Sequence, residues 1–263
     1  MQTLTPLTLE ARQFPFPLNV YAELLQLQTG HIDSLHYGLF ETADEPVTAA
    51  QARSTAWLFQ QLPPAPLRLL EVGIGLSTTL GKLVHAGYQV TGLTPDPAQV
   101  RIAAERCPGT QVVHSTFEQY QTDEQYDLIL FQESSQYIPT AELWQQIDRL
   151  LAPQGRVLVL DEFARDTHIA GLHALTTFLD TAAAHGYSLI KNHDHSTAAA
   201  HTVSYLQRTV AQLRPQLLAT LPIDDAMLDH LQTANQRYQR HYAQGEYQYR
   251  YLEFIRPSPA QAA

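Results

Sequence analysis

Between residues 67 and 163 short apolar runs alternate with amphipathic stretches. Arg68 to Val72 is an apolar run closed by glycines, and Ser77 to His85 carries helical spacing. Gln89 to Leu93 is a short β-branched run, followed by a helix over Pro97 to Arg106 and a strand over Thr110 to His114. Tyr126 to Phe131 (YDLILF) and Arg156 to Leu160 (RVLVL) are continuous enough to be buried on both faces, with an amphipathic helix over Ala141 to Leu151 between them. Strands separated by single helices connect through right-handed crossovers and build a parallel sheet. Beyond the fifth strand the pattern predicts a helix (Gly171 to His185), a strand (Tyr187 to Asn192) and a long helical stretch from about Ala199 to Tyr242. Tyr247 to Ile255 then alternates as a last strand, and the tail after Pro257 is expected to fray. The first 66 residues read as helices and loops ending in the breaker-rich LPPAP.

Composition narrows the function classes. The chain has 263 residues, with 16 basic against 26 acidic side chains and a net charge of -10, a balance that repels phosphate backbones. No nucleic-acid partner is therefore expected. The single Cys107 excludes a disulfide framework and a cysteine zinc site, and reads as a small structural residue near a helix end. No run is long and apolar enough to span a membrane, and residues 1–17 lack a basic region followed by an apolar one. A cytoplasmic protein without membrane insertion is the expectation.

The chemistry is concentrated in Leu69 to Leu80 (LLEVGIGLSTTL), where a strand turns into a helix. Gly73 and Gly75 let backbone approach a ligand, and the following helix offers unpaired N–H groups. A dinucleotide fingerprint would have a third glycine where Thr78 stands, which counts against a nicotinamide-dependent oxidoreductase. The pattern E-x-G-x-G-x-S resembles the first motif of class I S-adenosylmethionine-dependent methyltransferases. That resemblance implies a Rossmann-like α/β fold, a mostly parallel seven-stranded sheet with an antiparallel last strand. It also implies that Glu71 orients the loop or meets the ammonium of S-adenosylmethionine. The second strand ends in Thr94 rather than an acid, and VTGLTPDPAQV resembles the subgroup of mycolic acid cyclopropane synthases, tocopherol methyltransferases and geranyl diphosphate C-methyltransferase. By that resemblance Thr94 and Gln99 approach the ribose, whereas Asp96 reads equally as a helix N-cap before Pro97.

Further along, Ser115 to Tyr120 is similar to the subgroup's adenine-binding turn, with Phe117 packing on adenine and Glu118 accepting from its amine. The segment FQESSQYI resembles the one in which donor and acceptor meet, which makes Glu133 the first catalytic candidate, as a base or charge stabiliser, and Tyr137 the second. His36-Tyr37 lies in a segment (HYGLF) resembling a donor-side lid, in which Tyr37 meets the donor and His36 the acceptor. His193 and His195 alternate on a strand and read as acceptor contacts or surface histidines; a two-histidine metal grip lacks further ligands, so no metal is expected. Among Tyr238, Tyr242, Tyr247, Tyr249 and Tyr251, most are expected in the core and one or two, Tyr242 first, at the acceptor pocket.

The expected layout is a helical cap at 1–66, a donor-binding core at 67–198 and 246–257, and a helical insertion at 199–245 over the acceptor. The expected reaction is methyl transfer from S-adenosylmethionine to a small-molecule acceptor, at carbon, nitrogen or oxygen, in specialised biosynthesis; a homodimer is left open. A non-catalytic donor-binding protein is the alternative.

Overall fold

The computed structural model describes residues 11–167, 169 and 171–256; the expectation of a frayed tail after Pro257 and the first ten residues of the expected cap lie outside them. The chain divides into two compact units, residues 1–60 with 197–245 and residues 61–196 with 246–263.

The second unit is a seven-stranded sheet. Its strands are β1 (Arg68–Val72), β2 (Gln89–Thr94), β3 (Gln111–His114), β4 (Tyr126–Gln132), β5 (Leu151–Ala164), β6 (Ser188–Asp194) and β7 (Tyr247–Ile255), in the order β3-β2-β1-β4-β5-β7-β6. β7 runs antiparallel to both neighbours and the other six strands are parallel, as expected. The order reverses between β1 and β4, the position at which open α/β sheets bind ligands beyond their carboxyl ends. The four-residue gap between the end of the helix predicted to reach Leu151 and the strand predicted from Arg156 closes differently: β5 begins at Leu151, with Gln154 turned to φ 63°. The helix predicted from Gly171 begins at Leu175, because Gly171 sits at φ 108°.

The core of this unit lies on the face bearing Ile129, Phe131, Val157 and Val159. Trp144 of the amphipathic helix Thr140–Leu150 is fully buried there, about 5 Å from the rings of Tyr187, Phe254 and Phe178.

The first unit is helical, with α1 (Leu18–Thr29), α2 (Val47–Gln61), and two long helices Ser196–Thr220 and Asp225–Ala243. The single long helical stretch read from sequence is thus two helices. They part at Leu221-Pro222-Ile223, and Asp224 caps the second by accepting from Met227 N at 2.8 Å. The HYGLF segment is pinned within this unit. Gly38 N donates to Thr202 Oγ1 and Leu39 N to Ala50 O, both at 3.0 Å. A Cβ at Gly38 would lie 2.5 Å from that of Ala50.

Trp144→Ala should cost about 3–5 kcal/mol in urea unfolding. Trp144→Phe should cost distinctly less, because the indole N–H has no hydrogen-bond partner among the described residues.

Candidate active site

The carboxyl ends of β1 and β4 carry the two loops around which the site is built. Val72 and Phe131 are register partners, so Gly73 and Gln132 leave the sheet side by side. Gly73 has φ 78°, and its N–H donates to Leu93 O at 2.8 Å. A Cβ there would come 2.5 Å from Ser134 Cβ. The β4 loop uses this close approach, with Ser134 Oγ donating to Val72 O. Gly75, at φ 48°, is different. Nothing lies within 4 Å of the Cβ it lacks, so the loop leaves open space at that point. The backbone of Ser77 is also left-handed, at φ 62°. Behind this loop the buried Arg106 guanidinium donates from Nη1 to Leu76 O (2.9 Å) and Thr78 Oγ1 (3.0 Å).

Buried polar atoms at this edge with no hydrogen-bond partner among the described residues include Glu71 Oε2, Ser77 Oγ, Glu118 Oε2 and Gln132 Nε2. Unsatisfied buried groups each cost on the order of 1–3 kcal/mol, so such a set points to a bound polar molecule. Glu71 is 1% exposed, and burial pushes its carboxyl well above the usual carboxylate range. Glu71 and Glu118 offer acceptors and Ser77 a hydroxyl to a polar ligand.

The other donor-side candidates are more structural than the sequence suggested. The buried Thr94 hydroxyl donates to Gln99 Oε1 at 2.7 Å and accepts from Asp96 N at 3.1 Å, so it shapes the turn after β2. Asp96 is an N-cap, its Oδ1 accepting from Ala98 N at 2.7 Å. Phe117 is 3% exposed and packs its ring edge-on to Phe131, centroids 5.2 Å apart. Gln146 holds that turn by donating to the carbonyls of Phe117 and Tyr120, both at 2.7 Å.

Glu133 leaves β4 with φ 55°, a left-handed conformation that costs a non-glycine residue roughly 1–2 kcal/mol. Bonds on each side of it hold that geometry. Glu133 N donates to Leu160 O at 2.9 Å. Asp161 Oδ2 accepts from Ser135 Oγ (2.6 Å), Ser135 N (2.9 Å) and Gln136 N (3.2 Å), while its Oδ1 accepts from Glu162 N (2.8 Å). Burial raises Asp161 and these bonds oppose the rise. His173 Nε2 lies 2.9 Å from Ser135 O and Nδ1 lies 3.0 Å from Thr140 Oγ1. A carbonyl only accepts, so the proton is on Nε2. Sequence reasoning missed Asp161 and His173. Asp161 had a weak signal, an acid directly after a buried strand; His173 had none, its partners lying 33 and 38 residues away.

Tyr137, the second catalytic candidate, is 78% exposed on the turn Ser135–Tyr137. The phenol that meets Glu133 is that of Tyr249 in β7, which donates to Oε1 at 2.6 Å. His195 follows β6 at the same carboxyl edge and its N–H donates to Tyr249 O at 2.9 Å. Burial and the neighbouring His193 lower the His195 pKa, with Asp194 opposing. The exposed His193 ring stacks 6.3 Å from that of His195. His36, Tyr37 and Tyr242 belong to the helical unit. Both His36 ring nitrogens are engaged within that unit, Nδ1 with Tyr37 O at 2.9 Å and Nε2 with Thr55 Oγ1 at 3.0 Å, so this imidazole braces its own segment. Tyr242 is buried. Among the described residues no group of three or more His, Cys, Asp or Glu side chains has the geometry to hold a metal ion.

Residues 70–159 match the family model for a methyltransferase domain. No curated protein matches the chain. Among solved structures the chain resembles the 4+2 cyclase SpnF (19% identity, 90% of this chain and 92% of that one, TM-score 0.75). It also resembles a cyclopropane synthase from Mycobacterium tuberculosis (14%, 84% and 90%, TM-score 0.74). A third is geranyl diphosphate C-methyltransferase from Streptomyces coelicolor A3(2), in complex with Mg2+, geranyl diphosphate and S-adenosyl-L-homocysteine (15%, 90% and 97%, TM-score 0.66). At these identities the likeness is one of fold. The methyltransferase-domain match lies within the sheet unit, and the solved structures share its Rossmann-like fold.

Gly75→Ala should lose about 1–2 kcal/mol in urea unfolding, the cost of its left-handed backbone alone. Gly73→Ala should lose clearly more, because it adds the clash with Ser134.

Proposed function

Starting from a methyltransferase domain at residues 70–159, we propose that the chain transfers the methyl group of S-adenosylmethionine to a small-molecule acceptor. The observation that carries this reading is the group of buried unpartnered atoms that includes Glu71 Oε2, Ser77 Oγ and Glu118 Oε2, at the edge where Gly75 leaves open space. When bound, S-adenosylmethionine supplies an electrophilic methyl on a sulfonium, and the displacement needs chiefly a held geometry. Glu71 takes the ammonium, Glu118 the adenine amine, and any ribose contact by the Thr94–Gln99 pair runs through Gln99. Glu133 accepts a proton from the acceptor or offsets positive charge as it develops there. In this reading 1–66 and 199–245 carry acceptor specificity through His36 and Tyr242, the sheet unit adds His193 and His195, and Tyr37 meets the donor. The net charge of -10 supports a small molecule over a nucleic acid. No helix among the described residues is long and apolar enough to cross a membrane, which agrees with a cytoplasmic enzyme.

A second reading is favoured by the likeness to a cyclase: a protein of this fold that binds the donor and runs other chemistry. Incubation with methyl-labelled S-adenosylmethionine and panels of amine, phenol and prenyl acceptors separates the two. Labelled product supports methyl transfer. Tight binding of S-adenosylhomocysteine with no product across the panels supports the second reading, and stronger stabilisation by NADH than by S-adenosylmethionine would sink both.

Glu133→Gln should keep the affinity for S-adenosylhomocysteine measured by calorimetry and lose about 100-fold or more in turnover. Equal turnover in the variant removes Glu133 from the mechanism.

Donor binding should also depend on pH. Burial favours the protonated form of Glu71 and a bound ammonium favours its ionised form, so in this reading binding is linked to proton release. The affinity for S-adenosylhomocysteine should therefore rise with pH above the ordinary carboxylate range. Glu71→Gln should flatten that slope.

A further inference from the structure

Tyr249 is fully buried in β7, its backbone paired with Glu162 of β5. Its backbone N–H donates to Ser196 Oγ at 3.0 Å, and its carbonyl accepts from His195 N at 2.9 Å. The ring is thus fixed by its strand before it meets anything, and its hydroxyl donates to Glu133 Oε1 at 2.6 Å. Glu133 itself stands on a left-handed backbone in a half-buried position. Two further carboxylates bear on the same spot, Asp161 and Glu162 from β5, with the Tyr137 phenol from the same loop. Like charges favour a protonated Glu133, whereas a hydrogen bond donated to the carboxylate favours its ionised form. We propose that Tyr249 is the positioning residue for Glu133: its hydroxyl commits one carboxylate oxygen, fixes the plane of the group and keeps it ionised beside Asp161 and Glu162. This rests on the reading of Glu133 given above. Burial, with the neighbouring Glu133, Asp161 and Glu162, pushes the Tyr249 phenol well above its ordinary range, so it remains a donor.

Tyr251 supplies an internal control. It is equally buried two residues along the same strand, and its hydroxyl donates to a different carboxylate, Glu253 Oε2, at 3.0 Å. The test is a carboxyl carbon NMR titration of the full chain labelled with glutamate, Glu133→Gln identifying the Glu133 resonance. In Tyr249→Phe the Glu133 midpoint should rise by about half a pH unit or more, and in Tyr251→Phe it should stay in place. A Glu133 midpoint that is unmoved in Tyr249→Phe, or moved as far by Tyr251→Phe, overturns the proposal.

Should Tyr249→Phe fail to fold, the same bond is read from the other side with tyrosine labelled at Cζ. Glu133→Gln should then shift the Tyr249 resonance and leave that of Tyr251 in place; an unshifted Tyr249 overturns the proposal. These readouts need no acceptor. If the midpoint moves as expected and Glu133→Gln still turns over any acceptor found, the pairing stands and the catalytic reading of Glu133 falls.

Discussion

The site depends on how closely the loops after β1 and β4 can approach. The sheet order reverses between these two strands, and Val72 and Phe131 leave it in register. Ser134 then presses against the position where any residue but glycine would carry a Cβ at Gly73. Because Gly73 has none, Ser134 Oγ reaches Val72 O and the two loops close into one structure. Everything downstream inherits that approach: the open space at Gly75 on one side and the placement of Glu133 on the other.

Two kinds of buried polar group flank this seam, and the difference between them carries function. Asp161 accepts four hydrogen bonds and is spent on holding the β4 loop. Arg106 and Gln146 likewise hold backbone carbonyls of the loops beside them. Glu71, Ser77 and Glu118, by contrast, have buried atoms with no partner among the described residues. A protein interior rarely tolerates such atoms unless something else satisfies them. The satisfied groups form the frame of the loops, and Glu71, Ser77 and Glu118 leave polar atoms for another partner.

Backbone strain is carried by the loop after β4. Glu133 holds a left-handed backbone with no glycine to relieve it, and the cost is offset by the bonds through Leu160, Asp161 and His173 that fix its loop. A carboxylate placed in this way keeps one orientation among neighbouring acids, which a side chain on a relaxed loop would not.

The strands and the glycine turn were legible in the sequence because they depend on short-range pattern. Continuous apolar runs such as YDLILF signal burial on both faces, and Asp96 before Pro97 signals a cap; both follow from the chemistry of adjacent residues. Glu133 was legible for the same reason, as an acid at the carboxyl end of a buried strand. What the sequence by itself could not carry was the identity of each partner. That Gly73 would be pressed by Ser134, 61 positions on, and that Phe117 would meet Phe131 edge-on could not be read from neighbouring residues. Tyr137, four residues from Glu133, read as its companion, whereas Tyr249, 116 residues away, is the phenol bonded to it. Local chemistry is written in neighbouring residues. Which distant side chain arrives at a given atom is decided by strand order and register, and these exist only once the sheet has formed.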